Sequence, residues 1–307
     1  MSVIACVFPG QGSQSVGMLA AMAGAYPQIQ QTFDLASSRL GYDLWNVVQH
    51  DPENRLNQTD VTQPALLTAS VALWQVAHEY LGKIDFLAGH SLGEYSALVC
   101  AGAMSLEDAV ALVEARGQFM QQAVPAGEGA MYAIIGLDDA NIIACCERVA
   151  SETGQVVAPV NYNSPGQVVI AGTANAAELA AAACKEAGAK RALPLAVSVP
   201  SHCALMKPAA EKLAGLLDTL SITAPSIPVV NNVDVAIAQD PAQIKDALVR
   251  QLYCPVRWTE SIEYLASQNV TTIYEVGPGK VLTGLIKRID KSIDASALNE
   301  PEHFTQA

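Results

Sequence analysis

A serine held between two glycines, in Gly89-His90-Ser91-Leu92-Gly93, is the residue set in this chain best suited to nucleophilic chemistry. An apolar run, Ile84-Asp85-Phe86-Leu87-Ala88, precedes it, and a helical pattern opens near Glu94. Strand, Gly-x-Ser-x-Gly, helix is the setting of a nucleophile elbow, where small glycines let the chain reverse tightly and leave the hydroxyl at the tip. The free N–H groups of the helix N-terminus favour negative charge developing there. The pentapeptide alone is a common pattern, and its flanking elements give it weight.

A serine hydroxyl needs a base to take its proton as it attacks, and histidine serves near neutral pH. Among the five histidines, His90 adjoins the serine and is expected to point away from it across the turn, as a packing residue. His50 and His303 lie in polar, loop-like stretches, and His78 lies inside a helical pattern. His202 follows Ala196-Val197-Ser198-Val199-Pro200-Ser201, just past the last apolar strand before a helix. Sites in open α/β sheets form outside the carboxyl ends of the strands, which singles out His202. An α/β-hydrolase triad would add an acid between serine and histidine in the sequence. None stands out in that interval. A backbone carbonyl could hold the imidazole instead, and the missing acid argues against an ordinary esterase.

Two further segments could bear on the chemistry. Pro9-Gly10-Gln11-Gly12-Ser13-Gln14-Ser15-Val16-Gly17 follows the first strand. It lacks the third glycine of a dinucleotide fingerprint and the Gly-Lys-Ser/Thr ending of a phosphate loop. It reads either as a loop whose N–H groups approach the elbow to complete an oxyanion hole, or as a tight turn. Arg116, on an apolar helical segment, is either a snorkelling surface residue or a buried anion clamp whose planar fork suits a carboxylate.

These residues must be positioned by the elements around them. The chain has 307 residues, 51% of them hydrophobic, enough for a large domain carrying a smaller one. Apolar strands at 3–8 and 84–88 alternate with helical patterns at 27–39, 63–81, 94–101 and one opening at Ser105, with Pro64 expected at the first helical position. A mainly parallel sheet covered on both faces follows. After a linker at 125–129 the order becomes strand 130–135, helix 138–149, strand 156–161, turn 163–166, strand 167–171, helix 174–187 and strand 191–197. This β-α-β-β-α-β order is the split unit of a ferredoxin-like domain. It reads as an insertion, because an α/β pattern resumes with strands at 227–230 and 271–276 and helices at 204–217, 241–250, 260–266 and 281–288. The expected division is 1–124 with 198–307 as a large α/β domain and 125–197 as an inserted small one, with the last few residues frayed. Net charge is −13, which argues against nucleic-acid binding. No apolar run reaches membrane-spanning length and the N-terminus lacks signal-peptide order, so no membrane association is expected. The seven cysteines show no zinc spacing and sit mostly in apolar segments, which points to a reducing cytoplasm.

Taken in order, Val7-Phe8-Pro9-Gly10-Gln11-Gly12-Ser13-Gln14, Gly89-His90-Ser91-Leu92-Gly93-Glu94, Glu114-Ala115-Arg116-Gly117 and Val199-Pro200-Ser201-His202 resemble the motifs of malonyl-CoA:acyl carrier protein transacylases. Asn161-Tyr162-Asn163-Ser164-Pro165-Gly166-Gln167 and Glu275-Val276-Gly277-Pro278-Gly279 extend the resemblance over nearly the whole chain. It implies an α/β-hydrolase-like domain with an inserted ferredoxin-like domain. It further implies that Ser91 is the nucleophile and His202 its base, with the N–H groups of Gln11 and Leu92 as the oxyanion hole. Arg116 would bind the malonyl carboxylate, and the main-chain carbonyl of Gln251 would orient His202. Gln63 and Asn161 would line the pocket. The implied reaction is ping-pong transfer of malonyl from malonyl-CoA, through malonyl-serine, to the phosphopantetheine thiol of acyl carrier protein, supplying fatty acid chain elongation. No bound metal or permanent cofactor is expected, and the chain is expected to be a monomer. A serine hydrolase or thioesterase, and a non-catalytic acyl-binding module, stay as alternatives. The implied carrier protein is acidic, so a basic patch would have to dock it. Lys280, Lys287, Arg288 and Lys291 form one candidate, and Lys185, Lys190, Arg191, Lys207 and Lys212 another.

Overall fold

The computed structural model describes residues 2–197 and 199–304. The expected domain limits at residues 1, 198 and 307, and the expected fraying of the last residues, lie outside or at the edge of that range. From the N-terminus run β1 (Val3–Phe8), α1 (Ala20–Ala25), α2 (Pro27–Leu40), α3 (Leu44–His50), α4 (Thr59–Leu81), β2 (Phe86–Gly89), α5 (Gly93–Cys100) and α6 (Leu106–Ala123). The middle of the chain forms β3 (Gly129–Ile135), α7 (Asp139–Thr153), β4 (Val157–Ser164), β5 (Gln167–Thr173), α8 (Ala174–Glu186) and β6 (Arg191–Pro194). The C-terminal part adds α9 (Lys207–Asp218), β7 (Val229–Val230), α10 (Pro241–Gln251), α11 (Trp258–Ser267), β8 (Val270–Val276), α12 (Val281–Ile289) and β9 (Asp294–Leu298).

Two sheets result. One is parallel throughout, in the order β7-β2-β1-β8-β9. The other is antiparallel, in the order β4-β5-β3-β6, with β3 and β5 central. Helices α7 and α8 pack their alanines and cysteines on the antiparallel sheet, around Ile134, Val168 and Ile170. Apolar residues of α4 and α6 form the largest core with Phe8, Leu87 and Leu92. The α/β class with a mainly parallel sheet and a β-α-β-β-α-β unit agrees with the sequence reading. Among the described residues no helix is long and apolar enough to cross a membrane.

Several elements differ from expectation for identifiable reasons. Helix α4 begins at Thr59 rather than Gln63, which leaves Pro64 inside it rather than at its first position. The early start is held in place from outside the helix. A side chain on Gly117 of α6 would stand 2.5 Å from the Asp60 Cα, so the two helices touch backbone to backbone there. Thr62 Oγ1 also donates to the Leu56 carbonyl at 2.6 Å. Strand β6 stops at Pro194 instead of residue 197: the Leu195 N–H still donates to the Met131 carbonyl at 2.9 Å, and a tight turn, Val197 N–H to the Leu195 carbonyl at 2.9 Å, then takes the chain off the sheet. Strand β9 was not read from the sequence. Its Asp-Ala-Ser-Ala-Leu has little β-propensity, and pairing with β8 decides it. The short helices α1 and α3 were likewise missed.

The parallel sheet sets up the elbow by bringing backbones closer than any Cβ would allow. A side chain on Gly93 would sit 2.0 Å from the Phe8 carbonyl oxygen, and one on Gly89 would sit 1.9 Å from the Gly93 carbonyl carbon. Gly93→Ala must therefore move β1 or α5, and overpacking of this kind costs about 1–3 kcal/mol. Gly24, in α1, has open space around its Cα, so Gly24→Ala should be neutral or stabilise by up to about 1 kcal/mol. Denaturant unfolding of the two variants checks this. Equal stability of Gly93→Ala and the unsubstituted chain would contradict the packing described.

Candidate active site

The elbow lies at the carboxyl end of β2, beside the loop that leaves β1. That loop is pressed onto the elbow: a side chain on Gly10 would meet the His90 carbonyl oxygen at 2.5 Å. Ser91 itself has φ 52°, in the left-handed region that L-residues avoid. Such strain costs on the order of 1–3 kcal/mol and persists only where surrounding bonds over-determine it. Those bonds are present. The Ser91 N–H donates to Asn232 Oδ1 at 2.7 Å, and Asn232 Nδ2 donates to the Gly89 carbonyl at 2.7 Å. One asparagine side chain thus clamps both limbs of the turn.

His202 reaches the serine from the segment following the antiparallel sheet. Its Nε2 is 2.8 Å from Ser91 Oγ, and its Nδ1 is 2.7 Å from the main-chain carbonyl of Gln251. A carbonyl only accepts, so Nδ1 carries the proton and Nε2 is left to accept from the serine hydroxyl. His202 is also in a left-handed conformation, φ 64°, with its N–H donating to the Leu252 carbonyl at 3.0 Å. The imidazole is buried. Burial pushes its pKa down to about 3, helped by the Arg116 cation and opposed by the Gln251 carbonyl.

Arg116 is 1% exposed, which removes the snorkelling reading. Its Nη1 donates to Gln63 Oε1 at 2.7 Å and its Nη2 to Gln251 Oε1 at 3.0 Å. Nη2 also lies 3.5 Å from Ser91 Oγ. Among the described residues no carboxylate pairs with this guanidinium, and its buried Nε has no hydrogen-bond partner. The face of Tyr95 lies 5.3 Å away.

The cleft around Ser91 encloses about 100 Å³. Gln11, Gln63, Leu92, Arg116, Asn161 and His202 all line it, so the structure gathers every residue singled out in the sequence except Gln251, which stands behind Arg116 and His202. Leu92 is the residue that leads into α5. Gln11 Nε2 is 3.5 Å from Thr59 Oγ1. Asn161 presents a buried Oδ1 with no hydrogen-bond partner among the described residues.

His90 does more than expected. Its ring packs against Trp258, as a packing residue's would, but it is also among the residues that line the cleft, and its Nε2 lies 2.8 Å from Asn163 Oδ1. His78 packs on Trp74, and His303 Nδ1 accepts from the Asn299 and Glu300 N–H groups. Two residues were missed altogether. Glu94, 2% exposed, accepts from the Asn232 N–H and from Gln251 Nε2, both at 2.9 Å to the same oxygen. Burial pushes its carboxyl up to about 7, with the Asn232 and Gln251 bonds and the Arg116 charge pulling the other way. An acid directly following the Gly-x-Ser-x-Gly turn was the available signal for Glu94; Asn232 had none. Among the described residues no group of three or more His, Cys, Asp or Glu could hold a metal ion.

A family model described as the acyl transferase domain matches residues 5–299. The malonyl CoA-acyl carrier protein transacylase of Salmonella typhimurium is 65% identical over all of this chain and 99% of its own length. That of Escherichia coli K12 is 64% identical with the same coverage. A crystal structure of an acyl carrier protein S-malonyltransferase from Vibrio cholerae matches with TM-score 0.95 and 62% identity over 98% of each chain. A malonyl-transacylase solved in complex with a type II polyketide synthase acyl-carrier protein matches with TM-score 0.96 and 60% identity, over 99% of this chain and 98% of that one.

A buried imidazole with a depressed pKa stays neutral where an ordinary histidine titrates, near 6.5. Neutral His202 therefore adds stability above about pH 6.5 that is lost as the pH falls and the unfolded chain takes up the proton first. Its imidazole ¹⁵N shifts should report a neutral Nδ1–H tautomer from about pH 8 down to about pH 5. A titration of this ring centred near 6.5 would contradict the assigned environment.

Proposed function

The chain belongs to the family of malonyl CoA-acyl carrier protein transacylases, and we propose that Ser91 carries the malonyl group between coenzyme A and the carrier protein. The observation that carries this reading is a serine hydroxyl bonded to a neutral imidazole, with a buried guanidinium 3.5 Å from the same oxygen.

In the first half-reaction Ser91 Oγ attacks the thioester carbonyl of malonyl-CoA while His202 Nε2 takes its proton. The Gln251 carbonyl stabilises the imidazolium so formed and keeps the ring in register. The N–H groups of Gln11 and Leu92 hold the oxyanion, a type of contact whose loss costs on the order of a hundredfold or more in rate. The imidazolium then gives its proton to the departing coenzyme A sulfur. In the second half-reaction the phosphopantetheine thiol of acyl carrier protein loses its proton to His202 and attacks the malonyl-serine ester, and the imidazolium returns that proton to Ser91 Oγ as the ester bond breaks. Arg116 receives the free carboxylate of the malonyl group, with Gln63 steadying the guanidinium and Asn161 lining the opposite wall. Protein groups perform each of these steps. The product is malonyl-loaded carrier protein for fatty acid chain elongation.

The division into a large catalytic domain, 1–124 with 198–307, and an inserted small domain, 125–197, is part of this reading. Separate sheets with separate cores support it. The cleft takes Met131, Asn161 and Leu195 from the antiparallel side and Ser91 and Arg116 from the parallel side, an arrangement suited to keeping water from the ester. The seven cysteines are free thiols, which fits a reaction carried out in the reducing cytoplasm. For carrier docking, Lys280 and Lys287 border a groove along β9, whereas Arg288 is engaged with Gln167 Oε1 of β5.

Intact mass spectrometry tests the reading. Mixing with malonyl-CoA should add one malonyl group to the chain and none to Ser91→Ala, and holo acyl carrier protein should then remove it. Rapid loss to water with no transfer to the carrier would instead indicate a thioesterase. Arg116→Ala should lower the preference for malonyl-CoA over acetyl-CoA by about one to two decades, the scale of a charged hydrogen-bonded contact. An unchanged preference would remove Arg116 from the carboxylate site.

A further inference from the structure

We propose that Glu94 is a positioning residue that fixes the Gln251 side-chain amide with its oxygen toward Arg116, and so determines where the carboxylate clamp stands. The proposal rests on Arg116 as the carboxylate site.

Gln251 does two jobs with two different oxygens. Its main-chain carbonyl accepts from His202 Nδ1, and its Oε1 accepts from Arg116 Nη2. The amide could in principle lie either way round. Turned over, it would set an N–H against the guanidinium and a carbonyl oxygen against three acceptors. Those acceptors are the Ser91 carbonyl at 3.0 Å, Glu94 Oε2 at 2.9 Å and Asn232 Oδ1 at 3.4 Å. Glu94 Oε2 is the nearest side-chain acceptor of that amide nitrogen, and with the Ser91 carbonyl it holds the observed orientation. The same oxygen accepts the Asn232 N–H, so it joins the residue that clamps the elbow to the residue that orients both base and guanidinium.

The two functions of Gln251 should nevertheless separate. Its main-chain carbonyl belongs to the last turn of α10, and the segment is tied independently by the His202 N–H to Leu252 bond. That carbonyl stays in place when the side chain turns. Arg116, by contrast, would keep its short bond to Gln63 through Nη1 and only the long 3.5 Å contact of Nη2 with Ser91 Oγ, and could swing about the former. Loss of the Glu94 acceptor should therefore harm recognition of the carboxylate far more than serine chemistry.

The test compares specificity constants for malonyl-CoA and acetyl-CoA in Glu94→Asp, Glu94→Gln and Arg116→Ala, with thermal melting as the check on folding. Aspartate keeps the charge but withdraws the acceptor. Glutamine keeps an acceptor oxygen in place without the charge. Glu94→Asp should lower the malonyl-to-acetyl ratio by about tenfold, the scale of one charged hydrogen bond, with acetyl transfer little changed. Glu94→Gln should restore the ratio to near that of the unsubstituted chain. Adding Glu94→Asp to Arg116→Ala should lower the ratio no further. Equal losses for both substrates, or a ratio that follows the charge and falls in Glu94→Gln but not in Glu94→Asp, would overturn the proposal. A ratio unmoved in Arg116→Ala would overturn the underlying assignment of the clamp, and is read separately from the Glu94 variants.

Discussion

Arg116 is a cation taken almost wholly out of water, and the polar interior of this protein is organised around that fact. A buried charge costs several kcal/mol unless hydrogen bonds or counter-charge offset it. Here neutral amides, Gln63 and Gln251, supply the bonds, and the nearest acid of the network, Glu94, acts through Gln251 rather than by direct pairing. The guanidinium is therefore solvated well enough to fold yet left without a direct anionic partner on the side that faces Ser91. In the proposed reaction, the substrate's own carboxylate completes the set. The same charge also helps keep His202 neutral, so one residue favours both the ligand and the working state of the base.

The second constraint is geometric. Ser91 and His202 both occupy left-handed backbone conformations, and their hydroxyl and imidazole meet because both strained segments are tied to common neighbours. Asn232 holds the elbow at Ser91 and Gly89, and Gln251 contacts the Ser91 carbonyl and the His202 ring. The use of a main-chain carbonyl to orient the imidazole follows from this arrangement. It holds the imidazole without the acid of a hydrolase triad, and so adds no negative charge beside the carboxylate site proposed at Arg116.

The parts of the fold that were legible in the sequence are those written in local pattern. The Gly89–Gly93 spacing defines its own strand, turn and helix, and the β-α-β-β-α-β order needs only the sequence of elements. The start of α4 was not legible, because it is held by a contact with Gly117, nearly sixty residues along the chain. Strand β9 depends on β8 in the same way. Within the site, Ser91 and His202 declared themselves by residue type and setting, whereas Arg116 could be read two ways until its burial was seen. Asn232 and the bond of His90 to Asn163 had no local signature at all. They are fixed by partners at Gly89, Ser91, Asn163 and Trp258 that only the tertiary structure brings together.

The central claim is that the free carboxylate of the acyl group, received by a buried cation, decides what Ser91 accepts. Its most direct test is the acylation rate of Ser91 by malonyl-CoA against that by its methyl ester, which keeps the acyl skeleton, adds one methyl group and removes the charge. The ester should react slower by about tenfold or more, the scale of one charged hydrogen-bonded contact, and Arg116→Met should narrow the difference. Equal rates for acid and ester in the unsubstituted enzyme would contradict it.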